Sequence, residues 1–169
     1  TLISGPTNID PFPGIKFIKV KSAKEMFEMT IKNLPVDVAI FSAAVADYKM
    51  KNEKKEKMKK ERNLNLVLEK NIDILATISK HNSKRPKLVI GFSAETNNLV
   101  ENSKLKLSEK NCDWIVANNV ADSSIGFESD FNEVSIFYKD KNIKNEKIYK
   151  MKKSLIAEKI VERVINQLN

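Results

Sequence analysis

Residues 42–47 combine small side chains with one carboxylate, a composition suited to holding a small polar ligand. They follow the apolar run from Val36 to Phe41. Small side chains let a ligand approach the backbone, and Asp47 can accept a hydrogen bond from a hydroxyl or an amine, or hold a metal ion. The alternative is that the small residues only let a helix pack closely against a strand. The pattern by itself leaves both interpretations open.

A lysine-rich stretch, residues 49–62, follows at once. Its cations are Lys49, Lys51, Lys54, Lys55, Lys57, Lys59, Lys60 and Arg62, and its anions are Glu53, Glu56 and Glu61. Eight cations against three anions give this stretch a net charge of +5, out of +8 for the whole chain. We expect a mobile active-site loop that presents positive charge to a polyanionic small molecule. The alternative is a solvated, lysine-rich surface.

Two further polar segments follow apolar runs that we predict to be buried strands. In the first, Gly91 to Thr96, the ring of Phe92 could stack on a base or could belong to the core. In the second, Asn118 and Asn119 could hydrogen-bond a ligand or only cap a turn. Ligands of open α/β sheets bind beyond the carboxyl ends of the strands, so both segments are candidate binding positions.

The predicted helix between those two segments carries a pair of lysines. Lys106 and Lys110 are one turn apart and lie beside the stripe formed by Leu99, Ser103 and Leu107. Like charges at this spacing slightly destabilise an isolated helix, and a bound triphosphate would remove that cost. A solvated lysine pair is the alternative.

Residues 69–72 lie at the predicted N-terminus of another helix. They are Glu69, Lys70, Asn71 and Ile72. Backbone N–H groups at a helix N-terminus suit an anion or an acceptor-rich base. This segment is therefore a further candidate for contacting a nucleotide.

Strand and helix patterns alternate along the chain. Short apolar strands are predicted at 1–4, 16–20, 36–41, 88–92 and 114–117, and an exposed strand at 64–68. Helices are predicted after Ser22, which forms a capping box with Glu25, after Asn71 and Asp73, from 97 or 98 to about 111, and after Ser154. This alternation predicts an α/β fold with a Rossmann-like, mostly parallel sheet covered by helices on both faces. Residues 134–149 instead alternate in polarity around a turn, which indicates a C-terminal antiparallel ribbon.

Composition narrows the class of protein. The 169 residues suffice for one domain with a substantial core, and the one cysteine cannot form an internal disulfide. One histidine leaves no His–Cys cluster, so a zinc site is not expected. No apolar run approaches the roughly 18 residues that span a bilayer, and residues 1–7 lack a signal-peptide pattern. We therefore expect a cytoplasmic protein with no membrane partner.

Taken together, these segments resemble the phosphopantothenoylcysteine synthetase family. This is the ligase domain that is often fused to a flavin-dependent decarboxylase in bacterial coenzyme A synthesis. The matching segments are residues 2–6, 43–48, 56–60, 68–71 with Asp73 and Ile74, 91–96, Lys106 with Lys110, 115–120, and Gly126 and Phe127 with Ser129, Asp130 and Asn132. Each segment is weak by itself, but their order and spacing over nearly the whole chain make the resemblance specific.

The resemblance implies a CTP-dependent ligation. In that reaction 4′-phosphopantothenate attacks the α-phosphate of CTP, giving an acyl cytidylate and pyrophosphate, and the amine of L-cysteine then attacks the acyl carbon and releases CMP. Mg²⁺ accompanies the nucleotide. The resemblance assigns CTP contacts to Phe41, Ser42, Ala43, Asp47, Lys57, Glu69, Lys70, Asn71, Ile72, Phe92, Lys106 and Lys110. Asp47 and Lys57 would be catalytic, and Ala43 and Asn118 would line the substrate pocket, while no metal ligand is identified.

The same resemblance implies an assembly. Residues 1–169 would form a single phosphopantothenate–cysteine ligase domain, whose first strand and glycine-rich turn we expect before Thr1. Residues 49–62 would fold over the active site across a dimer interface, and the C-terminal ribbon would build that homodimer. FMN is expected only if a decarboxylase domain is fused upstream.

Two other functions fit parts of the sequence. A basic nucleic-acid-binding α/β module would use the lysine-rich stretch, but three glutamates interrupt that stretch and it has almost no aromatic residues for stacking. An NAD-dependent Rossmann dehydrogenase would need a GxGxxG loop, which none of the four glycines forms. We therefore expect small-molecule substrates and no nucleic acid.

Overall fold

The computed structural model describes residues 1–52, 65–120 and 129–169. These residues form two compact units, each described by itself below. The first unit contains Thr1–Leu34 and Ala43–Ile74, and the second contains Pro35–Ser42 and Leu75–Asn169. Most of the lysine-rich stretch lies outside the described residues, and so do Lys57 and the motif residues Gly126 and Phe127.

The described residues form nine strands and four helices. In chain order they are β1 (Leu2–Ser4), β2 (Phe17–Lys19), α1 (Ala23–Lys32), β3 (Val38–Phe41), β4 (Tyr48–Met50), β5 (Leu68–Lys70), α2 (Ile74–Ser79), β6 (Leu88–Glu95), α3 (Leu99–Lys110), β7 (Trp114–Asn119), β8 (Phe131–Tyr138), β9 (Glu146–Lys152) and α4 (Lys153–Leu168).

The second unit is built on a five-stranded sheet of order β3-β6-β7-β8-β9. β3, β6 and β7 run parallel, with Phe41 opposite Gly91 and Glu95 opposite Asn119. β8 is antiparallel to β7, and β9 is antiparallel to β8. The predicted α/β class, with a parallel sheet that continues into an antiparallel C-terminal ribbon, is confirmed. A role of that ribbon in dimerisation stays a prediction.

Helices cover both faces of this sheet, as the sequence predicts. Alternate residues of the central strands point to opposite faces, so Ile90 and Val116 belong to one apolar cluster while Val89 and Ile115 belong to the other. The first cluster is closed by α4 through Ile156, Ile160 and Val164. The second is closed by α3 through Leu107, with Leu75 of α2 and Leu99 packed against it. Burying each such side chain contributes about 1.5–3 kcal/mol.

A polar network joins the ribbon to α4 within this unit. Arg163 of α4 donates from Nε and Nη2 to the two carboxylate oxygens of Glu146, each at 2.6 Å. The hydroxyl of Tyr138 donates to the same carboxylate, and its ring packs edge-on against Trp114 with centroids 5.2 Å apart. These contacts hold the start of β9, the end of β8 and α4 in one arrangement.

The first unit consists of two strand pairs and a helix. β1 pairs in parallel with β2, and β4 pairs antiparallel with β5. The predicted cap of α1 is confirmed, because the Ser22 side chain accepts from the N–H of Glu25 at 3.2 Å. The carboxylate of Glu25 in turn accepts from the N–H of Lys21 at 2.7 Å, one residue before the position that a capping box uses.

Several predicted boundaries are wrong by a few residues. Ser154 does not cap the last helix, because β9 runs directly into α4 and Lys152 takes the N-cap position without a side-chain hydrogen bond. The Lys153 N–H is instead satisfied by the carbonyl of Asp130 at 2.9 Å. α2 begins at Ile74, later than Asn71 predicts. β6 and β7 extend through Glu95 and Asn119, so those polar residues belong to the strands.

Candidate functional site

The predicted binding segment of residues 91–96 lies at the carboxyl end of β6, in the second unit. Phe92 is partly buried and packs against the first apolar cluster, so its interpretation as a core residue holds in part. Gly91 precedes it on the opposite face, where a Cβ atom would collide with the Leu75 side chain and lie 3.1 Å from Ile115 Cδ1. A side chain at this position would therefore have to displace the tips of the Leu75 and Ile115 side chains.

Glu95, at the end of the same strand, contacts one of the two predicted lysines. Its carboxylate accepts from Lys106 Nζ at 2.7 Å and from Asn102 Nδ2 at 3.2 Å. The Glu95 side chain is 7 % exposed and that of Lys106 is 39 % exposed. This pairing offsets the repulsion expected between Lys106 and Lys110. The predicted segment from Gly91 to Thr96 contains this carboxylate, but the sequence did not indicate that it contacts Lys106.

Asn118 is held by a residue from the ribbon. Its Oδ1 accepts from Asn132 Nδ2 at 3.0 Å, while Asn132 Oδ1 accepts from the Glu133 N–H at 2.9 Å. Because the backbone N–H of Glu133 can only donate, it fixes which end of the Asn132 amide faces Asn118. The Asn118 amide nitrogen is then directed to a partner other than Asn132. The sequence placed Asn132 in a motif but gave no sign of this contact.

Phe41 and Ser42, two of the predicted nucleotide contacts, belong to the second unit. Phe41 is the last residue of β3 and packs against the second apolar cluster, and Ser42 is exposed. The boundary between the two units falls after Ser42, so Ala43 and Asp47 belong to the first unit.

In the first unit, two predicted segments that are distant in sequence lie side by side. The Asn71 N–H donates to the carbonyl of Asp47 at 2.7 Å, and Asn71 Nδ2 donates to the carbonyl of Ala46 at 3.1 Å. Asn71 Oδ1 accepts from the Ile72 N–H at 3.1 Å. Asn71 thereby joins the end of β5 to the segment before β4. Asn71 is thus a clamp for residues 46 and 47, with its side chain on Ala46 and its backbone N–H on Asp47, which the sequence did not predict.

The charged residues around the β4–β5 pair include Asp47, Lys49, Glu69 and Lys70. Lys49 lies opposite Glu69 in the register, and their side chains form an ion pair at 3.2 Å. Lys70 pairs in register with Tyr48. Ala43 and Asp47 are exposed, and no described cation of the first unit forms an ion pair with Asp47. Among the described residues of its unit, Asp47 is thus an exposed carboxylate.

The described residues offer little redox or metal chemistry of their own. None of their His, Cys, Asp and Glu side chains form a group of three that could hold a metal ion. Cys112 is fully buried, and burial raises the pKa of its thiol to about 11, which keeps it protonated. His81 accepts from the Lys84 N–H at the end of α2. Among the described helices, none has the length and apolar character that crossing a membrane requires.

Comparison with known proteins identifies relatives over almost the whole chain. Coenzyme A biosynthesis bifunctional protein CoaBC of Borreliella burgdorferi is 39% identical over an alignment of 166 positions, which covers 96% of this chain and 40% of that protein. The protein of the same name from Escherichia coli is 33% identical over an alignment of 173 positions, which covers 99% of this chain and 41% of that protein. The chain therefore spans about two fifths of the length of these relatives.

Solved structures agree with this relationship. The C-terminal domain of a coenzyme A biosynthesis bifunctional protein CoaBC has a TM-score of 0.76 and 32% sequence identity, and the match covers 98% of this chain and 72% of that chain. A DNA/pantothenate metabolism flavoprotein from Streptococcus pneumoniae has a TM-score of 0.73 at 20% identity, covering 99% and 78%, and this supports the fold alone. Residues 1–168 match the family described as DNA/pantothenate metabolism flavoprotein C-terminal domain. With relatives of this identity and coverage, the chain belongs to the DNA/pantothenate metabolism flavoprotein C-terminal domain family, as its resemblance to the ligase domain of the bacterial bifunctional protein predicted.

Proposed function

We propose that this chain acts in coenzyme A biosynthesis as a phosphopantothenate–cysteine ligase that uses CTP. The observation that carries the proposal is the match to coenzyme A biosynthesis bifunctional proteins at 33–39% identity over 96–99% of the chain. Residues 1–169 would then be a single ligase domain, and the remaining part of a bifunctional protein would be the fused decarboxylase, which accounts for FMN.

The proposed reaction needs positive charge more than it needs a general base. The carboxylate of 4′-phosphopantothenate is ionised at neutral pH, so it can attack the α-phosphate of CTP without losing a proton. That attack releases pyrophosphate and gives an acyl cytidylate. The amine of L-cysteine then attacks the acyl carbon and loses a proton as the amide bond forms, and CMP leaves. Negative charge develops on the transferring phosphoryl group and on pyrophosphate, and fixed cations stabilise such charge. Lys57, Lys106 and Lys110 are the proposed cations, with Lys57 and Asp47 catalytic.

The geometry within each unit supports the assigned contacts. In the second unit, Phe92 and Asn118 belong to the carboxyl-terminal halves of β6 and β7, and Lys106 contacts Glu95 at the carboxyl end of β6. Ligands of parallel sheets bind at that end of the strands. In the first unit, Asn71 fixes the backbone beside Asp47. Glu69, Lys70 and Ile72 flank that clamp, and Ala43 would border the substrate. Residues of both groups, with Phe41 and Ser42, are proposed to contact CTP.

Magnesium fits this site as an ion carried by the nucleotide. Mg²⁺ is commonly bound by one or two carboxylates together with substrate phosphates. Asp47 is an exposed carboxylate, and the described residues contain no cluster of three acidic or imidazole ligands. Asp47 is the residue we propose to face the ion, which would supply charge neutralisation for the phosphates when bound.

The proposal extends to the assembly. Residues 49–62 would fold over the bound nucleotide, and the β8–β9 ribbon would form the interface of a homodimer. The enzyme would work in the cytoplasm on soluble substrates. Analytical ultracentrifugation of the wild-type protein and of a variant with a shortened β8–β9 turn would test the homodimer.

The direct test is product formation by the full-length protein. We expect CMP and pyrophosphate only when CTP, 4′-phosphopantothenate and L-cysteine are all present with Mg²⁺. Lys57→Gln should lower turnover by about a hundredfold or more, as loss of a transition-state contact does. Lys51→Gln removes an exposed lysine of the same stretch and should leave turnover within about twofold.

Two outcomes would overturn the proposal. Absence of CMP from the intact protein with all substrates would refute the ligase activity itself. Full turnover by Lys57→Gln would refute the role of that lysine. Thermal unfolding with CTP, NADH or DNA added separately distinguishes the ligase from the two alternatives, an NAD-dependent dehydrogenase and a nucleic-acid-binding module. A ligand that binds the folded state raises the midpoint temperature of unfolding.

A further inference from the structure

We propose that Glu95 is a positioning residue that holds Lys106 ready for the phosphates of the nucleotide. This inference rests on the proposed function, because it concerns the CTP contact assigned to Lys106. The contacts involved all lie within the second unit, between the last residue of β6 and the middle of α3.

The Glu95 carboxylate is fixed from several directions. Its two oxygens accept from Lys106 Nζ at 2.7 Å and from Asn102 Nδ2 at 3.2 Å. Asn102 Nδ2 also donates to the carbonyl of Asn97 at 3.0 Å, so the asparagine is itself held in place. The Glu95 carbonyl accepts from the Val120 N–H at 3.0 Å, which anchors the backbone. Glu95 is therefore the anchored acceptor of the pair, and Lys106 is its more exposed donor.

Lys106 keeps donors to spare in this arrangement. An ammonium group has three N–H donors, and Glu95 uses one of them. The lysine side chain is 39 % exposed whereas that of Glu95 is 7 % exposed, so the ammonium is the part of the pair that solvent or a ligand can reach. A lysine side chain loses considerable rotamer freedom when it is immobilised. Because Glu95 has already restricted Lys106, a phosphate that binds it loses less entropy.

A purely structural role would not call for a carboxylate at this position. The two buried side chains of the neighbouring α3, Ser103 and Leu107, are small or apolar. Burying an anion is unfavourable unless a cation and hydrogen-bond donors compensate it. An apolar residue would fill the same space without that cost. The charge at Glu95 is therefore explained by what it does to Lys106.

The perturbation is Glu95→Gln. Glutamine offers one acceptor oxygen, and its NH₂ group would face either Lys106 Nζ or Asn102 Nδ2, both of which are donors. We expect the dissociation constant of CTP and its KM to rise about tenfold, the usual scale for losing one charge-assisted contact, with kcat changed by less than about threefold. Glu109→Gln removes the same charge from an exposed position of α3 and should change neither constant.

The double variant separates positioning from a structural effect. Lys106→Gln should weaken CTP binding, and adding Glu95→Gln to it should weaken binding no further, because the two residues act as one unit. A merely structural role for Glu95 would lower the active fraction and the unfolding midpoint while leaving KM unchanged. Unaltered CTP binding by Glu95→Gln, or full additivity with Lys106→Gln, would overturn the inference.

Binding and turnover are measured separately so that the two proposals can fail separately. Isothermal titration with CTP and Mg²⁺ alone tests Glu95 whether or not ligation occurs. Wild-type protein that binds CTP but forms no CMP would overturn the ligase proposal and leave the Glu95 comparison valid. Wild-type protein that binds no CTP would overturn both.

Discussion

The ion pair between Glu146 and Arg163 is expected to contribute measurably to the free energy of unfolding. Arg163 donates two hydrogen bonds of 2.6 Å to one carboxylate, and the two side chains are 33 % and 28 % exposed. Hydrogen bonds to charged groups contribute about 1.5–3 kcal/mol each when buried, and exposed ion pairs contribute about 0–1 kcal/mol. For this partly exposed pair, we expect Arg163→Met to lower the free energy of unfolding by about 2 kcal/mol.

Methionine is the appropriate replacement because it keeps an unbranched apolar stem and a similar helix propensity. The loss then reports on the guanidinium, which also donates to the Lys159 carbonyl at 2.7 Å. For a chain of this length, about 2 kcal/mol corresponds to a fall of roughly 4–8 °C in Tm. Lys87→Met, which breaks the exposed pair with Asp37, serves as the matched control and should leave Tm unchanged within error.

The pH dependence of this stabilisation follows from the direction in which the pKa of Glu146 is shifted. Hydrogen bonding from Arg163 lowers the pKa of Glu146 in the folded protein below its ordinary value. A lowered folded pKa stabilises the fold at pH values above the unfolded pKa of about 4.3, and that contribution is lost as pH falls through the folded pKa. The difference between wild type and Arg163→Met should therefore be full at pH 7 and should shrink near pH 3.

The assay is chemical denaturation followed by far-UV circular dichroism at pH 7, 5 and 3. A difference of less than about 0.5 kcal/mol at pH 7 would show that the pair behaves as an ordinary surface pair. An equally large difference at pH 7 and pH 3 would show that Arg163 stabilises α4 by packing, and would refute the electrostatic reasoning.

Three further predictions concern buried positions of the second unit. Ser103→Ala should be neutral or stabilise by up to about 1 kcal/mol in denaturation, because the fully buried hydroxyl has no hydrogen-bond partner among the described residues and alanine is the better helix former; a clear loss would contradict this. Gly91→Ala should lower the free energy of unfolding by about 1–3 kcal/mol, since the added Cβ would meet the Leu75 side chain. Adding Leu75→Ala should restore part of that loss, whereas simple additivity of the two effects would argue against the collision. Cys112 should resist a thiol reagent in native protein at pH 8 and react fully in urea, because burial raises its pKa to about 11; fast native labelling would mean that the second unit opens locally.

The sheet of the second unit could be predicted from sequence because its signals are local. Apolar runs such as Leu88–Phe92 have the composition of buried parallel strands, and the alternation from Val134 to Tyr138 has the period of an antiparallel ribbon. The Ser22 cap of α1 was also readable, since it depends on residues three positions apart. Boundaries were less predictable where tertiary contacts decide them. The pairing of β6 with β7 carries both strands through Glu95 and Asn119, which composition alone marks as loop residues.

The candidate site was predictable as a set of residues and unpredictable as a set of contacts. Sequence reasoning named Asp47 and Asn71 separately, but only the structure shows that Asn71 holds the backbone at Ala46 and Asp47. The same is true of Lys106, which was grouped with Lys110 because helix spacing is visible in sequence. Its partner, Glu95, is on a different element, and the approach of two elements is set by packing.

The orientation of Asn118 illustrates how far contacts can determine chemistry that residue identity leaves open. An asparagine can present either an acceptor or a donor to a ligand, and the sequence does not distinguish them. Here the Glu133 N–H, which can only donate, turns the oxygen of Asn132 toward itself, and Asn132 must then donate to the Asn118 oxygen. Asn118 consequently has its N–H groups for other partners. A ligand group recognised by this residue should therefore be an acceptor such as a carbonyl, hydroxyl or phosphate oxygen, all of which the proposed substrates contain.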